Sequence, residues 1–160
     1  MILPAYLTES ETINLCTDAS KAGFGGTFGS SWVQGKYPPA WQELNIAVLE
    51  LFPIYLLISI FGHKLRNSHV TFLCDNQAVT VIINKQTSKD PTIMSILRPL
   101  VLLLLQHNIY FRATHLPGRL NELCDKISRN QVSKELLQQY GMMPSPTPIP
   151  EALQPGNFVL

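Results

Sequence analysis

Residues Ile13-Asn14-Leu15-Cys16-Thr17-Asp18-Ala19-Ser20-Lys21-Ala22-Gly23-Phe24-Gly25-Gly26-Thr27-Phe28 decide how the rest of the chain is read. The apolar run from Ile13 to Thr17 stops at Asp18, and glycines then alternate with Phe24 and Phe28. This pattern predicts a strand, a turn through Ala19 to Ala22, and a second strand whose glycines permit close backbone approach. After the turn at Gly29-Ser30-Ser31, Trp32 to Tyr37 gives a third strand, so the chain opens as an antiparallel meander. Pro38-Pro39 ends that strand. Gln42 to Phe61 follows with Ile46, Leu49, Ile54, Leu57 and Ile58 at helical spacing, and Pro53 marks an expected kink. His69 to Cys74 reads as a strand ending at Asp75, and Asn76 to Asn84 as a helix. Asp90-Pro91 is a cap and first-turn pair opening a helix to Gln106, which Pro99 is expected to kink or split. Ile109 to Thr114 is a fifth strand and Asn121 to Arg129 a last helix. Helical crossovers between the later strands require parallel pairing. The expected class is therefore α/β, a five-stranded mixed sheet with strands 1–3 antiparallel and strands 1, 4 and 5 parallel, flanked by helices.

This order divides the chain into a lead-in (1–12), one domain (13–130) and a tail (131–160). One more turn is expected from Ser133 to Tyr140. Beyond it, the proline-rich run from Met142 to Pro150 has the composition of an extended linker or disordered tail. With 160 residues, 46% of them apolar and 14% charged, the chain can bury one core and is not a polar disordered protein. A net charge of +1 gives no strong electrostatic footprint for nucleic acid. Cys16, Cys74 and Cys124 have neither CxxC nor Cys/His spacing, so no zinc site and no disulfide framework is expected. No signal peptide is read in the first ten residues. The apolar segments Val48 to Phe61 and Ile93 to Leu105 are shorter than the ~18–20 residues of a membrane span. The expectation is an intracellular protein, cytoplasmic or nuclear, without a membrane partner.

Three acids stand where a solvated charge is least expected. Asp18 and Asp75 each follow an apolar strand, and Glu50 lies inside an apolar helix. If their strands are neighbours, Asp18 and Asp75 leave the same end of the sheet, where open α/β sheets bind ligands. Glu50 can join them from a helix packed across that end, and Asp125, near the start of the last helix, is a fourth candidate. Converging carboxylates repel one another unless hard cations neutralise them, and two magnesium ions can activate a water and stabilise the leaving oxygen of a phosphodiester. Taken singly, Asp18, Asp75 and Asp125 are equally well explained as turn or cap residues. Glu50 is not, since a lone acid among Leu49, Leu51, Phe52 and Ile54 needs a partner.

Thr17-Asp18-Ala19-Ser20 with Gly23-Phe24-Gly25-Gly26, Asn45-Ile46-Ala47-Val48-Leu49-Glu50-Leu51, Cys74-Asp75-Asn76-Gln77-Ala78-Val79, and His115-Leu116-Pro117-Gly118 with Asn121-Glu122-Leu123-Cys124-Asp125 form four ordered blocks. Together they resemble the RNase H domain of reverse transcriptases, most closely that of DIRS/Ngaro-type retrotransposons, which move with a tyrosine recombinase. The resemblance spans Ile13 to Arg129. It implies an RNase H-like fold and a metal-dependent endoribonuclease that hydrolyses the RNA strand of RNA–DNA hybrids. It also implies that Asp18, Glu50, Asp75 and Asp125 hold two Mg²⁺ ions, with Mn²⁺ as a substitute, and that the loop residue His115 assists proton transfer or product release.

Reading a hybrid requires amides and small polar groups near the scissile phosphate, for which Ser20, Lys21, Gly23, Asn76 and Gln77 are the candidates. Lys85, Lys89, Arg112 and Arg119 are further cations within reach of phosphates. The sequence lacks a basic, Trp-containing insertion between the helices of Asp75 and Pro91. In the resembling elements the domain follows a polymerase, and here that partner is expected to be missing from the chain. Two other classes stay open: a catalytically inactive nucleic-acid-binding or scaffolding domain, and a DNA-processing integrase or transposase.

Overall fold

A computed structural model describes residues 12–117 and 121–160. The lead-in up to Glu11, Gly118 of the fourth block and the candidate phosphate contact Arg119 lie outside the described residues. Strands β1 (Thr12–Ala19), β2 (Gly23–Phe28) and β3 (Ser31–Lys36) form the meander, β4 is His69–Cys74 and β5 is Tyr110–His115. The helices are α1 (Pro39–Gln42), α2 (Ile46–Phe61), α3 (Gln77–Lys85), α4 (Pro91–Gln106), α5 (Glu122–Ser128) and α6 (Lys134–Gln139). The sheet order is β3-β2-β1-β4-β5. β1 pairs antiparallel with β2 and parallel with β4, and β4 pairs parallel with β5.

Capping sets the helix starts. Asn45 accepts from the amide of Ala47 to open α2, and Asp90 accepts from Thr92 and Ile93 to open α4. The single helix expected over Gln42 to Phe61 is thus two, with the short α1 seated after Pro38. Pro99 leaves α4 one continuous helix. With the 3₁₀ turn Gly62–Lys64, α2 extends to 19 residues, long and apolar enough to cross a bilayer, which corrects the argument from segment length. Its apolar surface is instead covered by the sheet and α4: Val48, Leu49, Phe52, Ile54, Leu56 and Leu57 are all fully buried. At roughly 1.5–3 kcal/mol per large apolar side chain, this helix is the main source of core stability.

The proline-rich segment is extended, yet it is not a free linker. The amides of Met143 and Thr147 donate to the carbonyls of Ser30 and Trp32, and the Trp32 indole donates to the Met143 carbonyl. The chain therefore lies along the β3 edge, which blunts an otherwise unpaired strand. Further on, the Phe158 ring meets Trp41, Phe52 and Tyr55 edge-on, with centroids 5.2–6.4 Å apart. Proline content says nothing of the aromatic anchor at Phe158, eight residues beyond Pro150. Phe158→Ala is accordingly expected to cost about 1–3 kcal/mol, a partly buried version of a core aromatic truncation. Urea denaturation measures it, and an unchanged midpoint would show that the segment is not docked.

Candidate active site

Strand register assembles the site. Thr17 stands opposite Cys74 in the parallel β1–β4 pair, and Cys74 opposite His115 in β4–β5. Asp18 and the first residue past β4, Asp75, thus leave the same end of the sheet. His115 sits beside them, its Nε2 3.7 Å from Asp75 Oδ1. Asp18 is buried and its Oδ1 accepts from the amide of Ala19 at 2.9 Å. Glu50 projects from α2 and is 6% exposed. Tyr37, buried at the end of β3, donates its hydroxyl to the Leu49 carbonyl and so ties the Glu50 turn of α2 to the sheet.

Helix α5 brings Asp125. It packs on the β2 glycines so closely that a Cβ on Gly25 would stand 2.5 Å from Ile127 Cγ2 and 3.1 Å from the Ser128 nitrogen. At the other end of the helix, the buried Asn121 amide donates to the Thr17 carbonyl, one residue before Asp18. Asn121 is a positioning residue that the sequence displayed only as part of a motif. Gly25→Ala is expected to shift α5 outward and to cost roughly 1–3 kcal/mol through overpacking. A thermal melt measures the loss, and parent-like stability would show that the helix has slack at this contact.

Electrostatics tie the four carboxylates together. Burial pushes the Asp18 carboxyl up to about 6, the Ala19 amide opposes the rise, and the charges of Asp125 and Asp75 add to it. Burial pushes Glu50 to about 8, with Asp18 and Asp75 raising it further. Glu50 Oε2 is buried with no hydrogen-bond partner among the described residues. Asp125 is more exposed and accepts from Arg129 Nε at 2.9 Å.

The other candidate residues divide. Ser20 Oγ and Gly23 exchange hydrogen bonds within the β1–β2 turn, and Asn76 caps α3 through the Val79 amide, so both have local structural partners. Lys21 and Gln77 are exposed. Arg112 donates to Thr71 from β5.

No family model and no curated protein matches the chain. Solved structures do. RNase H1 from the halophilic archaeon Halobacterium salinarum superposes with a TM-score of 0.62 at 14% identity, over 75% of this chain and 96% of that one. The fold is that of RNase H. The LC11 RNase H1 crystallised with an RNA/DNA hybrid matches with a TM-score of 0.56 at 17% identity, over 78% and 99% of the two chains. The N-terminal RNase H domain of a Mycobacterium tuberculosis protein gives 0.54 at 12% identity, over 81% and 99%.

Within this RNase H fold, the acidic end of the sheet can be tested for its fit to a divalent cation. Among the described residues, no three His, Cys, Asp or Glu side chains already surround one point. Asp75 leans toward His115 and Asp125 toward Arg129. The donor chemistry nevertheless fits. Hard oxygen ligands share one end of the sheet, one buried carboxylate oxygen lacks a partner among the described residues, and the weakened acidity of Asp18 and Glu50 is what a nearby cation would reverse.

Proposed function

We propose that the chain is a metal-dependent ribonuclease H domain that hydrolyses the RNA strand of RNA–DNA hybrids. The observation that carries this reading is Glu50, a carboxylate buried beside Asp18 and Asp75 whose Oε2 has no hydrogen-bond partner among the described residues. Burying a charge without a partner is costly, and such a group is kept where something opposite in charge completes it. Asp18, Glu50, Asp75 and Asp125 would hold Mg²⁺, or Mn²⁺ in its place. Two such ions would supply an activated water and stabilisation of the leaving 3′-oxygen.

The chain's own residues do the rest. Asp18 and Glu50 are fixed by burial and by the backbone around them, so their oxygens need little rearrangement. Asp75 is exposed enough to turn inward from His115, and Asp125 can offer Oδ2 while Oδ1 keeps its bond to Arg129. His115, beside Asp75 at the open end of the sheet, would pass a proton to or from the reacting groups. The Lys21 and Gln77 side chains stand at the same end to meet the hybrid, with Ser20, Gly23 and Asn76 shaping the turn and cap that present them. The four sequence blocks favour an origin in a DIRS/Ngaro-type reverse transcriptase, where a polymerase domain would hold the substrate for the nuclease.

The direct test is cleavage of a labelled RNA–DNA hybrid with magnesium, beside duplex RNA and duplex DNA. Cleavage of the hybrid's RNA strand alone is expected. Binding without any cleavage would favour an inactive nucleic-acid-binding domain, and cleavage of duplex DNA would favour the integrase-like class.

A further inference from the structure

The acidic end of the sheet continues sideways into a cleft of about 450 Å³ between the β2–β3 pair and the C-terminal end of α5. Gly23, Gln34, Lys36, Gln42, Arg129 and Asn130 line it, with no carboxylate among its lining residues. The wall is already built. Gln34 Nε2 donates to both the Ile127 carbonyl and Asn130 Oδ1 at 3.0 Å, which fixes the α5 end to β3. Arg129 is held by its Nε on Asp125, and its side chain is 56% exposed. The guanidinium is thus oriented at one edge, with its remaining nitrogens on the side away from Asp125.

Spacing connects this cleft to the acids. Arg129 lies one helical turn beyond Asp125, about 6 Å along the axis at 1.5 Å per residue. That is on the order of one nucleotide step of an extended strand. If the scissile phosphate sits at the carboxylates, the next phosphate of the same strand falls in the cleft that Lys36 and Arg129 both line. On a chain whose net charge is only +1, two cations facing one carboxylate-free cleft form a local anion site that whole-chain composition hides.

We infer that this cleft is a backbone subsite for the RNA strand, holding the phosphate adjacent to the scissile one between Lys36 and Arg129. The inference rests on the RNase H reading and names where its substrate strand runs. Lys36 is exposed and stands apart from the carboxylates, so it is a binding residue and can be changed without touching the proposed chemistry.

The test is a salt titration of hybrid affinity for the parent chain, Lys36→Gln and Lys36→Arg, followed by steady-state cleavage. Lys36→Gln is expected to bind several-fold more weakly on every hybrid sequence. The slope of log affinity against log salt should be shallower by about 0.9, the value for one phosphate contact on B-DNA. KM should rise while kcat holds, and Lys36→Arg should restore both slope and KM. A parent-like slope and KM in Lys36→Gln would overturn the subsite while leaving the nuclease reading intact. A parent chain that neither binds nor cleaves hybrid would overturn both.

Discussion

Asp75→Asn is expected to remove magnesium-dependent hybrid cleavage, lowering kcat by about a thousandfold or more while the protein stays folded. The size follows from what one preorganised electrostatic group contributes in a dry site, on the order of 10²–10³ in rate, to which lost metal affinity adds. The amide keeps the carboxylate's shape but carries no charge to share with a cation. Stability should not suffer. The Asp75 side chain is 40% exposed and its contact to His115 is long, so little folding energy resides in it. Its charge also raises both Asp18 and Glu50, and removing it relieves that repulsion. Single-turnover cleavage with saturating magnesium, paired with a thermal melt, checks both halves. Parent-like turnover would end the two-metal assignment, and loss of the fold would show that Asp75 is structural.

Much of this arrangement was readable from residues alone, and the reasons differ by element. The meander followed from the glycine and turn pattern around Gly23 and Gly29, and the parallel pairing of β1, β4 and β5 followed from the helical segments between them. Asp90-Pro91 announced the start of α4 because cap chemistry is local. Glu50 stood out because an acid inside an apolar helix has no local explanation. That Asp18 and Asp75 would share one sheet end was legible once their strands were neighbours. What those acids do there is a matter for the cleavage assays.

The misses share a cause as well. Docking of the proline-rich segment depends on Phe158 meeting Trp41 and Phe52, contacts more than a hundred residues apart that no local period encodes. The cleft at Lys36 and Arg129 was invisible for the same reason, since one cation ends a strand and the other follows a distant helix. Length misjudged α2 because the 3₁₀ turn beyond Phe61 extends the helical run past the last apolar residue. Ser20 and Asn76 are each engaged in a turn or cap, a local role compatible with presenting backbone and side-chain groups to a substrate.

Glu50→Gln is expected to raise the stability of the metal-free protein at alkaline pH and to lower it somewhat near pH 5, where only the cost of the buried amide is felt, while destroying cleavage. Glu50 ionises near its usual 4.5 in the unfolded chain and at about 8 when folded, chiefly because of burial. Between those values the folded state binds the extra proton, so stability falls as pH rises from about 4.5 to about 8. At 1.36 kcal/mol per pH unit the ceiling is about 5 kcal/mol, and burying the replacement amide returns part of it, roughly 1–3 kcal/mol. A net gain of about 2 kcal/mol or more at pH 9 remains. Asp18, raised from 3.8 to about 6, adds a decline of the same sign at lower pH, present in parent and variant alike. Magnesium should do for the parent what the substitution does for the variant, stabilising it at high pH by binding the folded state. Urea denaturation in chelator at pH 5 and pH 9, repeated with magnesium, reads all of this. An equal stability difference between parent and variant at both pH values would show that Glu50 carries no buried charge, and the site would lose its main argument for a cation.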